Sequence, residues 1–387
     1  MRPRSTLMTI LSSEHQAYRT RLRGFIETRF LPYADEWEAL QTLPRSVFAD
    51  LGTAGDLGMN FPREYGGQGK DFGYTVILAE ELPRSHMMGL SLSVLAHTTF
   101  FAPLLVTQGT EEIKRDFLVP AIRGEKIGAL AVTEPSGGSD FVRAIECRAD
   151  EDGDFWVLHG EKKFITNGPI ADFVLVLART RPEPSVHSLT LVVVPTDAPG
   201  FRVKESMRKL GMHTSPTGWL AFDGCRVPKS HTLGKANLGY FYVTNNLHQE
   251  RLVGAISGVA AAQLVLEETI AHLRRRQAYG RPLADLQAVR HTVSDIAAEI
   301  EMARRFAHSV SDDFGNGQGV AKEISMIKFK VIEIVQRSVE RCLQLHGGAG
   351  FLEDNWVTRC YRDVRVLSLG GGVSELMKDL VASYLRL

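Results

Sequence analysis

The stretch LAVTEPSGGSD, Leu130 to Asp140, sets Thr133, Ser136 and Ser139 around two glycines. Short hydroxyl side chains and bare backbone amides in one turn can cradle an anion or the polar edge of a cofactor. The same composition also makes ordinary turns between strands. A second candidate lies near the end of the chain, in LSLGGGVSELMKDL, Leu367 to Leu380, where three glycines separate the strand-like run RDVRVLSL from a helical pattern. A phosphate-binding P-loop needs Gly-Lys-Ser/Thr after its turn, and Val373, Ser374 and Glu375 stand there. A dinucleotide fingerprint fits Gly370 and Gly372 and fails at its third glycine, which is Glu375. Only 15 residues follow Gly372, whereas a βαβ unit needs about 30. Two readings remain: a flexible turn ahead of a terminal helix, or a place where a backbone N–H is wanted without a side chain.

Other reactive residue types give weaker signals. His346 has no Ser or Cys nucleophile paired with it and reads as structural. Arg274 to Arg276 read by themselves as a solvated face, and Phe164 as core. Glu250, in LHQERLVGAIS, reads by itself as an acidic residue in an early helical turn, favoured by the macrodipole. Cys147, Cys225, Cys342 and Cys360 form no CxxC pair and no Cys/His metal spacing. No metal site is expected, and reduced thiols in a cytoplasmic compartment are the expectation.

The elements that must position these residues fall into three textures. Residues 1–128 are expected to form an N-terminal helical domain, because apolar residues recur at three- and four-residue spacings, as in FGYTVILAEELPRS. Residues 129–238 shorten to β-like runs such as DFVLVLART and SLTLVVVPT, predicting a small barrel or sandwich. DFWVLHGEKKFITNG predicts a hairpin turning near Gly160. Residues 239–387 return to long helices, about 245–275, 284–314, 320–345 and 373–386, suited to a bundle. The fold class is therefore mainly α with a central β domain. Lys+Arg and Asp+Glu balance at 45 each, which argues against a nucleic-acid or membrane-surface role. The N-terminus MRPRSTLMTILSSEHQ turns polar too soon for a signal peptide, and no apolar run approaches the roughly 18 residues needed for a bilayer span.

EKKFITNG follows the Ser/Gly loop by about 25 residues, and the pair is far more specific than either part. Together with YGGQG, RRRQAYGRPLADLQAV, CLQLHGGAGF and CYRDVRVLSLGGGVSE, in this order, they resemble the acyl-CoA dehydrogenase flavoprotein family over most of the chain. The resemblance implies an N-terminal helical domain, a central β domain and a C-terminal four-helix bundle. It implies FAD as cofactor, with Leu130, Val132 and Thr133 lining the flavin and Phe164, Ile165 and Thr166 meeting its ring system. Members often carry tryptophan where Phe164 stands, so an indole N–H is lost here. Arg276, Tyr279 and Gln287 match residues reaching the adenosine and pyrophosphate across a subunit boundary, and Gln344 and Gly348 match further contacts. Val373 replaces a usual threonine, and Glu375 matches a polar cofactor contact. Ser139, Arg251 and Gly372 match positions on the substrate side.

Many members place a catalytic glutamate where Gly371 stands here. Glycine cannot remove a proton alpha to a thioester. The long-chain and isovaleryl branch carries the glutamate on a helix just before an arginine, which matches Glu250 and Arg251, and GGGVSELMKDL resembles that branch too. The resemblance thus implies Glu250 as base, with the Gly371 N–H beside the thioester carbonyl. It implies an acyl-CoA substrate, a place in fatty acid metabolism, an electron-transferring flavoprotein as acceptor and a homotetramer. Biosynthetic relatives act on acyl or aminoacyl groups on a carrier protein, and the shared phosphopantetheine arm leaves that open. A direct oxidase and a non-catalytic flavin- or thioester-binding protein are the remaining alternatives.

Overall fold

The computed structural model describes residues 12–387. Its first part is built on α1 (Ser13–Arg29), α2 (Phe72–Glu81) and α3 (Met88–Gln108). Capping chemistry joins the first two. The Ser12 hydroxyl accepts from the His15 N–H at the start of α1, and the His15 ring meets Asp71 Oδ1 at 3.0 Å. Asp71 in turn caps α2 through the Gly73 N–H, so one imidazole links two helix ends. Midway along α3, residues Ala96–Phe101 form a π turn. Its carbonyls lose ordinary partners, and the Asn246 amide donates to the Thr99 and Phe100 oxygens at 3.2 and 2.6 Å.

The middle of the chain forms one curled seven-stranded sheet: β1 (Gly128–Ala131), β2 (Arg148–Asp152), β3 (Phe155–Thr166), β4 (Phe173–Arg179), β5 (Leu189–Pro195), β6 (Phe201–Ser206) and β7 (Thr217–Pro228). The order is β1-β4-β2-β3-β7-β6, with β5 pairing β4. FVLVLA is buried on both faces, which explains why it reads as a continuous apolar run rather than an alternation. The turn expected near Gly160 is not there. Gly160 lies inside β3, and the reversal falls between β2 and β3 around Gly153. Gly160 has φ +136, and a Cβ on it would sit 2.6 Å from Cys147 Cα. The glycine marks a close approach of two strands, not a loop.

The last part holds α4 (Gly239–Arg275), α5 (Gln287–Gly315), α6 (Ala321–Met326), α7 (Ile332–Leu345), α8 (Trp356–Asp363) and α9 (Ser374–Tyr384). A π turn, Ile327–Val331, joins α6 to α7. Helix α8 is additional to the four expected. The strand-like run RDVRVLSL is the end of α8 and a 3₁₀ turn, Val364–Ser368. No sheet edge serves it: the Gln336 amide on α7 takes the Val364 and Arg365 carbonyls instead. Residues of α1 to α4, such as Leu22, Ile77, Val94 and Leu252, share a single core with Ile300, Val335 and Val357 of the later helices. Helices α3 and α4 are long and apolar enough to cross a membrane by length and composition, and most of each apolar stretch is buried in the protein.

Candidate functional site

Glu250 and Arg251 lie about three turns into α4, facing the glycine turn that precedes α9. Gly371 has φ +68 and Gly372 φ +107, both in the left-handed region. A Cβ on Gly371 would lie 3.1 Å from Glu250 Oε1 and 3.6 Å from Lys328 Cε. The Glu250 carboxylate therefore stands where a side chain from position 371 would begin. A Cβ on Gly372 would meet Met377 Cε at 2.9 Å and an Arg251 nitrogen at 3.4 Å. Arg251 is buried, and its Nε donates to the Gly371 carbonyl at 2.8 Å. The Lys328 ammonium, on the π turn, donates to the Leu367 carbonyl. Among the described residues, the Gly371 N–H has no acceptor and the Glu250 carboxylate has no donor.

Burial pushes Glu250 up to about 7, against the pull of Arg251 and Lys328. Burial also draws Lys328 down to about 8 and lowers Arg251. A carboxylate titrating near neutrality, without donors, is suited to taking a proton. One turn beyond Glu250, Gly254 faces open space, whereas Gly258 packs against Leu367, Val335 and Ile332. The small residues of GAISGVAAA thus serve both room and close packing.

The loop after β1 and the end of β3 come together as the second part of the site. The Lys163 N–H donates to the Thr133 carbonyl at 2.8 Å, and Lys162 Nζ to the Val132 carbonyl at 3.0 Å. A register shift between Lys162 and Ile165 bulges the strand, leaving Phe164 at φ +62 with its ring 59% exposed. The solitary core reading of Phe164 is thereby overturned. Ile165 points into the sheet core, so only its backbone can face a ligand, and Thr166 and Leu130 are half-buried. Asn167, also left-handed, ties this bulge to α3 by donating to the Ser93 carbonyl at 2.9 Å. Ser139 is exposed farther along the loop.

A third set sits at the opposite end of α4. Arg276 follows its last turn, 26 residues or about 39 Å of helix rise beyond Glu250. Tyr279, 94% exposed, tips the small hairpin Gln277–Ala278 with Arg281–Pro282, and Gln287 opens α5. The QLHGGAG turn reaches the same end, because His346 bonds the Thr269 hydroxyl at 3.1 Å and stacks on His272. That makes His346 structural and leaves Gln344 and Gly348 exposed. Among the described residues, the side chains of Arg276, Gln287 and Gln344 make no hydrogen bond or ion pair, and a Cβ on Gly348 would meet nothing. An uncommitted guanidinium, two amides, a bare aromatic ring and open glycine backbone fit the pyrophosphate and adenosine of FAD. At the nearer end, Val373 is the N-cap of α9 and Glu375 is exposed in its first turn. Sequence reasoning missed Lys328, whose only signal is one cation on the apolar face of ISMIKFKV.

Residues 12–125, 129–225 and 237–385 match the N-terminal, middle and C-terminal domains of acyl-CoA dehydrogenase, respectively. The chain belongs to the acyl-CoA dehydrogenase family. Over 375 residues it is 34% identical to the long-chain specific acyl-CoA dehydrogenase of Rattus norvegicus mitochondria, covering 96% of this chain and 86% of that protein. The acyl-CoA dehydrogenase of Geobacillus kaustophilus superposes with TM-score 0.94 at 35% identity, over 98% of this chain and 100% of the other. A glutaryl-CoA dehydrogenase of Mycobacterium smegmatis in complex with FADH2 superposes with TM-score 0.91 at 26% identity, over 97% and 95% of the two chains. This family member is an FAD-dependent oxidoreductase.

Proposed function

We propose that this dehydrogenase oxidises an acyl-CoA thioester to the trans-2-enoyl thioester, with Glu250 as the base. When bound, FAD takes up the β hydrogen with its electron pair. The chain's own residues do the rest. Glu250 Oε1 accepts the α proton, and the Gly371 N–H donates to the thioester carbonyl as negative charge develops on it. Arg251 holds the Gly371 carbonyl and so fixes the direction of the turn. The Thr133 loop and the Phe164 bulge line the flavin, the open face at Gly254 receives the acyl chain, and Ser139 and Gly372 meet the CoA side. One observation carries the reading: the Glu250 carboxylate reaches to 3.1 Å from the missing side chain of Gly371, so a base is present where the reaction needs one.

Arg276, Tyr279, Gln287, Gln344 and Gly348 lie too far along α4 to share a flavin with Glu250 of the same chain. They support an assembly in which each copy completes its neighbour's FAD site, and we propose a homotetramer. We further propose the division 1–128, 129–238 and 239–387, an electron-transferring flavoprotein as acceptor, and a cytoplasmic location. Anaerobic titration with saturated acyl-CoAs of graded length and branching tests the substrate class. Bleaching of the flavin by some of them is the expected result. Bleaching only by the same acyl groups on a carrier protein would replace CoA as the substrate handle, and no bleaching by either would overturn the activity.

A further inference from the structure

Lys328 stands inside the site and plays no part in the chemistry described so far. It is 5% exposed, between the buried Ile327 and Val331, on the single wide turn that interrupts α6 and α7. π turns of this kind occur often at functional sites. A buried ammonium without a carboxylate in contact is costly, and a neutral donor would satisfy a carbonyl at less expense. The Lys328 donor goes to the Leu367 carbonyl, upstream of the glycines, while Arg251 holds the Gly371 carbonyl downstream. Two cations therefore grip the turn from either side of the Gly371 N–H.

We propose that Lys328 is a positioning residue for the reaction: its ammonium anchors the glycine turn and keeps a positive charge across Gly371 from the Glu250 carboxylate. This inference rests on Glu250 being the base. The charged groups acting on Glu250 are Arg251 of its own helix and Lys328 of the π turn, with no others among the described residues. The 364–373 segment brings backbone to this face, as the Gly371 and Leu367 carbonyls show. Removing the lysine charge raises the pH at which Glu250 becomes available. The lysine charge therefore bears on the acid limb of flavin reduction, where Glu250 gives up its proton at about 7.

The test is the pH profile of anaerobic flavin reduction in holoenzyme, read with an acyl-CoA that the wild type oxidises. Lys328→Gln, which keeps a donor for Leu367 but no charge, should move the acid limb up by about one pH unit. Lys328→Arg keeps the charge, so the acid limb should stay at its wild-type position. Lys328→Met should repeat the Gln shift and also lower the rate at every pH, because the turn loses its anchor. A purely structural lysine would lower rates or FAD content without moving the acid limb. An acid limb at its wild-type position in FAD-replete Lys328→Gln would overturn the inference. Glu250→Gln separates the two readings. If it still reduces its flavin, the base is wrongly assigned; if it does not and the acid limb of Lys328→Gln is unmoved, only the lysine inference falls.

Discussion

Glu134, fully buried, and Glu250, half-buried, are both carboxylates drawn out of bulk water, and the protein treats them in opposite ways. Glu134 is 3% exposed and lies 2.7 Å from Lys162 Nζ, itself fully buried. Its oxygens also accept from the Glu146 and Cys147 N–H groups at 2.7 and 3.1 Å. Each oxygen has partners, and the residue pins the loop after β1 to the neighbouring strands. Glu250 has two cations close by, and the bonds that Arg251 Nε and Lys328 Nζ make go to backbone carbonyls instead. The carboxylate is half-buried and without hydrogen bonds, desolvation disfavours its charged form, and its basicity rises. Burial alone says little about role. What separates structure from chemistry here is whether the donors around a carboxylate are aimed at it or past it.

The largest effect should come from Glu250→Gln. The amide is nearly isosteric, so FAD and acyl-CoA should still bind, while the rate of flavin reduction falls by about 10² to 10⁴. Stopped-flow reduction under anaerobic conditions reads this directly, and a near wild-type rate would sink the assignment. The matched variant on the structural side is Lys162→Met. Leaving Glu134 buried without its cation should destabilise the holoenzyme by about 3–5 kcal/mol, read by urea or thermal unfolding. The comparison breaks if Lys162→Met unfolds normally and instead abolishes the reaction.

A smaller effect sharpens the contrast through pH. The Glu250 carboxyl is raised in the folded state from 4.5 to about 7, so the folded protein holds a proton that the unfolded chain has released. Stability from this group is complete below 4.5 and is lost as pH rises through about 7. Glu250→Gln should therefore match the wild type in thermal stability at acid pH and exceed it above neutrality, by up to about 3 kcal/mol. A variant that is inactive and yet more stable at alkaline pH is what a functional carboxylate predicts. Equal stability at both pH values would mean that the group sits in water.

Much of the fold and of the site is legible in the order of residues alone. The succession of EKKFITNG, CLQLHGGAGF and the glycine run leads to the family, and the 3.6-residue patterns locate the long helices. The failures have separate physical causes. Gly160 resembles a turn residue because sequence cannot show that Cys147, just before β2, lies against it. RDVRVLSL alternates like a strand, but alternation does not reveal that Gln336 satisfies its carbonyls. Ile165 could be assigned to the flavin only as a residue, and the bulge decides that its backbone faces outward while its side chain does not. Lys328 escapes notice because one cation in an apolar helix carries no motif. Its meaning lies in Leu367 and Gly371, distant in sequence and joined only by the fold.

The smallest predicted effect concerns the residue after the glycines. Val373 has extended backbone at the N-cap of α9 and offers no side-chain acceptor, so the first amides of this helix lack the hydroxyl cap that threonine would supply. Val373→Thr changes shape little and adds an oxygen placed to accept from the second or third helical N–H. It should stabilise the protein by about 0.5–1 kcal/mol, a rise of a few degrees at most in thermal unfolding. Because the same position lies beside the proposed cofactor contact Glu375, the hydroxyl has two candidate partners. The two uses separate on comparing apoprotein with holoenzyme. A gain present in both belongs to the helix end; a gain confined to the FAD-loaded protein belongs to the cofactor, and the valine then marks a contact this chain has given up.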